Sequence, residues 1–246
     1  MDKIIVMKII IVENYEEMSQ RCSEILRDVI KSNNSAILGL ATGSTVVGTY
    51  NRLCKMYEKA ELSFKNIKTI NLDEYVGLDG TNNQSYAYFM RVNLFDKVDI
   101  DKRNTFIPCG IAADLAAECE CYDSLLTKMP RDVQLLGLGS DGHIAFNEPG
   151  SKFDTRTRVV HLAESTIQDN SRLFAKLEDV PKRAITMGIA DIMSAKQLLL
   201  LASGLNKAQA VKAMVKGDVN INCPASILQR HPNAIVILDK LAASLI

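Results

Sequence analysis

The chain has 246 residues, of which 47% are hydrophobic and 24% are charged. This composition excludes a disordered chain, because enough apolar surface is present to form a large buried core. The 29 basic residues balance 29 acidic ones, which argues against a nucleic-acid-binding protein, since those carry a basic surplus on the binding face. A small local anion site remains compatible with this balance.

The N-terminal run and the cysteines bear on location. The first 15 residues, MDKIIVMKIIIVENY, are apolar, but Lys3 and Lys8 interrupt them and no small-residue cleavage site follows. We interpret them as a first strand and not as a signal peptide. Apolar runs fall short of the ~20 residues that cross a bilayer, so no membrane partner is expected. The six scattered cysteines match no zinc pattern and indicate reduced thiols in a cytoplasmic protein.

Short apolar runs alternate with helical patterns along the chain. The predicted strands are residues 8–13, 36–41, 67–72, 132–139, 196–203 and 233–239, with shorter ones near Phe106, Val159 and Ile185. Helical spacing fills the intervals, for example over residues 84–94 and 114–128. Apolar strands covered by helices predict a doubly wound α/β fold, Rossmann-like, with a mostly parallel sheet and helices on both faces. We expect a single domain over residues 1–246.

A polar loop follows the second predicted strand, in LGLATGSTVVGTY. Gly43, Ser44 and Thr45 open the next helix, where free backbone N–H groups and the helix dipole attract an anion. The alternative is a Ser or Thr helix cap without a ligand. The loop has neither the Walker nor the GxGxxG pattern, so this motif alone leaves both interpretations open.

Two carboxylates directly follow the third predicted strand, in NLDEYVGL. Burial at the end of a strand would raise the pKa of Asp73 or Glu74 and favour a role as proton acceptor. The alternative is a solvated turn or a helix cap, and the pair alone favours that alternative.

The stretch LGLGSDGHIAFNEPG places Asp141, His143 and Glu148 within eight residues, after another predicted strand. The unperturbed pKa of histidine is the nearest to neutrality among side chains, and a neighbouring carboxylate can orient the ring. The alternative is a polar turn whose histidine bonds to backbone. One histidine and two separated acids make a poor metal site, so no metal is expected.

Two basic residues complete the set of candidates. Lys207 lies at a predicted helix start, where a cation is unfavourable unless an anion binds there, and Arg172 lies in NSRLF. The alternative for Lys207 is an ordinary exposed lysine. Thr42, Asp73, Asp141 and Lys207 all follow predicted strands, so we expect them at one edge of the sheet. Such a site predicts a phosphorylated polar metabolite and proton transfer next to a carbonyl or an imine.

The motifs LGLATGSTVVGTY, NLDEYVGL, GSDGHIAFNEPGS, DTRTRVV and ITMGI together resemble, in the same order, the glucosamine-6-phosphate deaminases. The resemblance runs from about Met7 to Leu245. It implies conversion of glucosamine 6-phosphate and water into fructose 6-phosphate and ammonia, in amino-sugar catabolism. It also implies that no cofactor is needed.

The resemblance assigns roles to the candidate residues. It implies that His143 opens the sugar ring. It also implies that Asp141 and Glu148 orient His143 and tune the charge of its imidazole. It implies that Asp73 takes the C2 proton and returns a proton at C1. The residues that it implies for phosphate binding are Gly43, Ser44, Thr45, Arg172 and Lys207.

The sequence departs from part of this family. Some members are hexamers activated by N-acetylglucosamine 6-phosphate through a serine, an arginine and a lysine. Ser151 and Arg158 match, but Val160 stands at the lysine position, and the chain ends at Ile246 without the longer tail of those members. We therefore expect a shorter, non-allosteric form, with the oligomeric state open between a monomer and a homo-oligomer.

Two other functions stay as alternatives. A 6-phosphogluconolactonase would use His143 to activate water. A sugar-phosphate sensor would normally add a DNA-binding segment and a basic face, which this composition does not favour. In the deaminase interpretation, residues 158–187 are predicted to form a lid that moves on ligand binding, because they carry Arg172.

Overall fold

The computed structural model describes residues 7–171, 174, 176 and 179–246. Arg172, predicted to bind phosphate, lies outside the described residues. The strands of the main sheet are β1 (Lys8–Val12), β2 (Ile37–Leu40), β3 (Lys68–Asn71), β5 (Thr105–Phe106), β6 (Val133–Gly137), β9 (Leu198–Ala202) and β10 (Ala234–Asp239). These seven strands pair in parallel in the order β1-β10-β9-β6-β2-β3-β5. The predicted parallel α/β sheet is therefore confirmed.

Helices of the described chain pack around this sheet. They are α1 (Tyr15–Ser32), α2 (Ser44–Glu58), α3 (Tyr86–Asn93), α4 (Leu115–Lys128), α5 (Glu164–Ser171), α6 (Ile189–Met193) and α7 (Ala208–Lys216). Local capping starts several of them. The Asn14 side chain accepts the Glu17 N–H at the start of α1, and Asp114 accepts two N–H groups of α4.

The core lies between the sheet and these helices. All five residues of β9, LLLLA, are buried, as expected of a central parallel strand covered on both faces. Apolar residues of α1 such as Met18, Cys22 and Leu26 are fully buried in the same core. Within the described residues, no helix combines the length and apolar character that crossing a bilayer requires.

A second, smaller sheet was not foreseen. Strands β4 (Asp73–Tyr75), β8 (Arg183–Thr186) and β7 (Arg158–His161) pair antiparallel in that order. The strands predicted near Val159 and Ile185 are thus real, but they belong to this sheet. Because only Leu72 separates β3 from β4, the chain passes from one sheet to the other at Asp73.

The strands that precede the predicted site residues are β9, β6, β2 and β3, and they are consecutive neighbours in the main sheet. Parallel neighbours end on the same edge, so the loops that follow them converge. From β2 the chain adds β3 and β5 on one side, and it then crosses back to add β6 on the other side of β2. Ligands bind in doubly wound folds at such a switch in strand order.

Candidate active site

A cavity of about 230 Å³ opens at this edge of the sheet. Six of the nine residues predicted for the site line it: Gly43, Ser44, Thr45, Asp73, His143 and Lys207. The prediction that residues following the strands meet at one edge of the sheet is therefore confirmed for these positions. A cavity of this size suits a small metabolite better than a dinucleotide.

The loop after β2 brings the start of α2 to the cavity. Gly43 is the N-cap, with a φ of +99° that side-chain-bearing residues rarely adopt, and no side chain caps the helix. The predicted alternative of a Ser or Thr cap is therefore wrong. The first N–H groups of α2 are left without a capping side chain beside a cavity that Ser44 and Thr45 also line. This arrangement suits an anion.

Asp73 is 6% exposed and lines the cavity. Burial of its carboxylate, and secondly the charge of Glu74, raise its pKa from 3.8 to about 8. Desolvation disfavours the charged form, so this group exchanges a proton near neutral pH. A carboxylate in this state is suited to general acid–base catalysis.

Unlike Asp73, Glu74 is not among the residues that line the cavity. Its buried carboxylate accepts the backbone N–H groups of Tyr75, Tyr86 and Ala87, each at 2.9 Å. The last two N–H groups belong to the first turn of α3, so the helix-cap interpretation is correct for Glu74. Its burial contradicts the solvated-turn version of that interpretation.

The loop after β6 holds a histidine against a carboxylate. Nδ1 of His143 lies 2.7 Å from Oδ1 of Asp141, and that oxygen also accepts the backbone N–H of His143 at 3.1 Å. The Nδ1 contact has hydrogen-bond length without standard hydrogen-bond geometry. Contact with His143 lowers the pKa of Asp141 to about 2, so this carboxylate stays charged beside the ring.

The ring of His143 folds back over Gly139, and this approach requires glycine. A Cβ at position 139 would lie 2.2 Å from Nδ1 of His143, well inside van der Waals contact. Gly139 also donates its N–H to the carbonyl of His143, which closes the loop. The glycine that follows β6 in the sequence thus determines where the histidine sits.

The carboxylate of Glu148 forms hydrogen bonds with residues at the start of α5. Its carboxylate accepts the Ala163 N–H at 3.0 Å and the Thr166 hydroxyl at 2.7 Å. Thr166 itself lines the cavity. These bonds join the loop after β6 to the helix that covers the site, and the role of Glu148 toward His143 stays a prediction.

Lys207 lines the cavity at the end of a short 3₁₀ turn, Leu205–Lys207, that leads into α7. It is half-buried, which contradicts the alternative of an ordinary exposed lysine. Among the described residues, Lys207 is the lysine or arginine that lines the cavity. It shares this cavity with Gly43, Ser44 and Thr45 at the start of α2.

Tyr86, Phe146 and Thr166 are among the cavity-lining residues that sequence reasoning did not assign to the site. Phe146 packs against Tyr75, with 5.6 Å between the ring centroids. It also forms part of the cavity wall, with the ring of Tyr86 stacked 6.0 Å away. Phe146 lies inside the histidine motif, which was an available signal, whereas no local pattern marks Tyr86 or Thr166.

Comparison with known proteins places this chain in a family. The chain belongs to the family of glucosamine-6-phosphate isomerases and 6-phosphogluconolactonases, whose model matches residues 12–237. Within it, this chain is similar to glucosamine-6-phosphate deaminases. One from Clostridium perfringens strain 13 is 49% identical over 241 residues, which are 98% of this chain and 100% of the relative. Another, from Thermoanaerobacter pseudethanolicus, is 50% identical over 98% of this chain and 95% of the relative.

Solved structures agree with this placement. A monomeric glucosamine-6-phosphate deaminase matches with a TM-score of 0.95 at 46% identity, over 98% of this chain and 100% of that one. A 6-phosphogluconolactonase from Trypanosoma brucei matches with a TM-score of 0.79 at 22% identity, over 98% of each chain. The second likeness shows a shared fold. The family predicted from the sequence motifs is confirmed.

Proposed function

We propose that this chain converts glucosamine 6-phosphate and water into fructose 6-phosphate and ammonia. The observation that carries the proposal is one small cavity that joins a buried carboxylate of raised pKa, a histidine–carboxylate contact and an uncapped helix start. Relatives of nearly half identity over nearly the full chain carry the name of this activity.

The phosphate binds at the start of α2. The proposed donors belong to residues that line the cavity: the backbone N–H groups that follow Gly43, the hydroxyls of Ser44 and Thr45, and the ammonium group of Lys207. Anchoring the phosphate fixes the sugar relative to the catalytic groups, which converts an encounter into an oriented reaction. Arg172 is proposed as a further phosphate ligand on the family resemblance alone.

Ring opening is the first proton transfer. His143 moves a proton from the C1 hydroxyl to the ring oxygen, which leaves an open-chain aldehyde at C1. Asp141 remains charged at 2.7 Å from Nδ1 and stabilises the imidazolium that forms in passing. Glu148 is proposed to support the same ring.

Deamination follows from a second proton transfer. Asp73 takes the proton from C2, the electron pair of that bond forms a C1–C2 double bond, and the C1 carbonyl oxygen takes up a proton, which gives an enolamine. A proton returned at C1 then leaves a protonated imine at C2. Water adds to that imine carbon, ammonia leaves, and the C2 ketone of fructose 6-phosphate remains. The steps are proton transfers, the addition of water and the loss of ammonia, so we propose that the reaction uses no metal and no organic cofactor.

We further propose a non-allosteric, monomeric enzyme of the cytoplasm. The similar deaminase structure is monomeric, and Val160 replaces the lysine expected of an allosteric site. Arg158, which would belong to such a site, donates to Asn147 Oδ1 at 2.9 Å within the fold. Six free cysteines suit a reducing compartment. If N-acetylglucosamine 6-phosphate changes a sigmoid velocity curve into a hyperbolic one, the non-allosteric assignment is wrong.

An ammonia-release assay tests the proposed activity. Purified protein is incubated with glucosamine 6-phosphate, and ammonia and fructose 6-phosphate are measured in parallel. Equal amounts of both products support the proposal. Absence of both, with hydrolysis of 6-phosphogluconolactone instead, would replace it with the lactonase alternative.

The role of Asp73 is tested separately from overall turnover. In deuterated water the wild-type enzyme should exchange the C2 hydrogen of its substrate, and Asp73→Asn should abolish this exchange. Exchange retained by the variant would show that another group abstracts the proton.

A further inference from the structure

Tyr15 links two helices at the proposed phosphate site. It is the first residue of α1, and its hydroxyl contacts the first turn of α2, about 30 residues later. The hydroxyl donates to the carbonyl oxygen of Ser44 at 2.9 Å and accepts the N–H of Gly48 at 2.8 Å. The absence of a side chain at Gly48 permits this approach, because a Cβ there would lie 3.0 Å from the tyrosine oxygen and 2.3 Å from Oγ of Ser19.

These bonds fix the orientation of one peptide unit. The carbonyl of Ser44 and the N–H of Thr45 belong to the same planar trans peptide, in which the two groups point in opposite directions. Holding that carbonyl toward Tyr15 therefore holds the Thr45 N–H toward the helix start. Thr45 lines the cavity, so this N–H is one of the donors available to an anion there.

We propose that Tyr15 is a positioning residue for phosphate binding. Its hydroxyl sets the plane of the Ser44–Thr45 peptide and thereby preorganises the N–H donors of the loop. The inference rests on the proposed function, because it takes the start of α2 to be the phosphate site. Tyr15 itself is not among the residues that line the cavity.

The competing explanation is that Tyr15 only packs α1 against α2. The ring of Tyr15 is half-buried at the edge of the apolar core, so some of its contribution is packing. Tyr15→Phe separates the two roles, because it keeps the ring and removes the hydroxyl. Tyr57→Phe is a matched control, since Tyr57 is also half-buried but lies near the other end of α2.

The experiment measures phosphate binding and turnover in the same proteins. Inorganic phosphate is titrated by calorimetry and tested as a competitive inhibitor of ammonia release from glucosamine 6-phosphate. Tyr15→Phe should weaken phosphate binding and raise KM by about fivefold, equivalent to the loss of about 1 kcal/mol for one hydrogen-bonding group. The kcat should change by less than about twofold, because the reacting groups are untouched. Tyr57→Phe should leave all three values unchanged.

The other possible results decide between the positioning role of Tyr15 and the proposed reaction. Unchanged phosphate binding in Tyr15→Phe, whether or not its thermal stability falls, overturns the positioning role. So does a loss confined to kcat. If the wild-type protein binds phosphate but releases no ammonia, the proposed reaction fails while the role of Tyr15 is still decided by the variant. If the wild-type protein binds no phosphate, the positioning role is overturned together with the phosphate site.

Discussion

Replacing Asp73 with asparagine is expected to remove a pH-dependent loss of stability. Burial raises the pKa of the folded-state carboxyl from 3.8 to about 8, whereas the unfolded chain keeps the ordinary value. Between these values the folded protein binds one proton more than the unfolded chain. The stabilising contribution is therefore complete below the unfolded pKa and is lost as the pH rises through about 8. An asparagine at this position has no such dependence.

The size of the effect follows from the linkage relation. One excess bound proton changes the free energy of unfolding by about 1.4 kcal/mol per pH unit. Between about pH 5 and about pH 8, the stability of Asp73→Asn relative to wild type should rise by roughly 4 kcal/mol. Other titrating groups are common to both proteins and largely cancel in this difference.

Urea unfolding followed by circular dichroism at several pH values measures this difference. Asp154→Asn is the matched control, because Asp154 is exposed and its replacement should give a difference that stays flat with pH. A flat difference for Asp73→Asn as well would refute the reasoning. It would mean that the Asp73 carboxylate is solvated or paired in the folded protein, which would contradict the raised pKa and weaken its proposed role as proton acceptor.

Three further substitutions test other parts of the site. Asp141→Asn removes the charge beside the histidine ring and should lower kcat/KM for ammonia release at least ~10-fold; an unchanged value would contradict the proposed pairing. Gly43→Ala should lower the free energy of unfolding by about 1 kcal/mol because of its positive φ, whereas Gly137→Ala, with similar space but no positive φ, should not. Urea titration measures the free energy of unfolding of both variants. Thr166→Val loses the bond to Glu148 and should lower kcat/KM about fivefold, with Thr166→Ser retaining activity; equal losses would point to packing.

Much of the main sheet is predictable from the sequence, because buried parallel strands are recognisable locally. The run LLLLA of β9 and the apolar core of β6 stand out between polar turns, and helical spacing separates them. The convergence of Asp73, His143 and Lys207 follows from one rule about strand ends. Local pattern and general topology are sufficient for this part of the molecule.

The smaller sheet was beyond this reasoning for physical reasons. Strand β4 is only Asp73–Tyr75, and its three residues show no apolar alternation, since its shape comes from pairing with β8 more than 100 residues later. The contacts of Glu74 with α3 and of Glu148 with Thr166 likewise depend on tertiary placement. No window of sequence contains both partners of such a contact.

The short connection between the two sheets has a mechanical consequence. Leu72 donates its N–H to Leu40 in the main sheet at 3.3 Å, and its carbonyl accepts the N–H of Met187, just after β8, at 2.7 Å. The junction is thus bonded on both sides, and Asp73 is the next residue. A rotation of the small sheet about this junction would act as a lever. The displacement would be greatest at its far end, toward α5, and least at Asp73, so the small sheet could move while Asp73 remained in place.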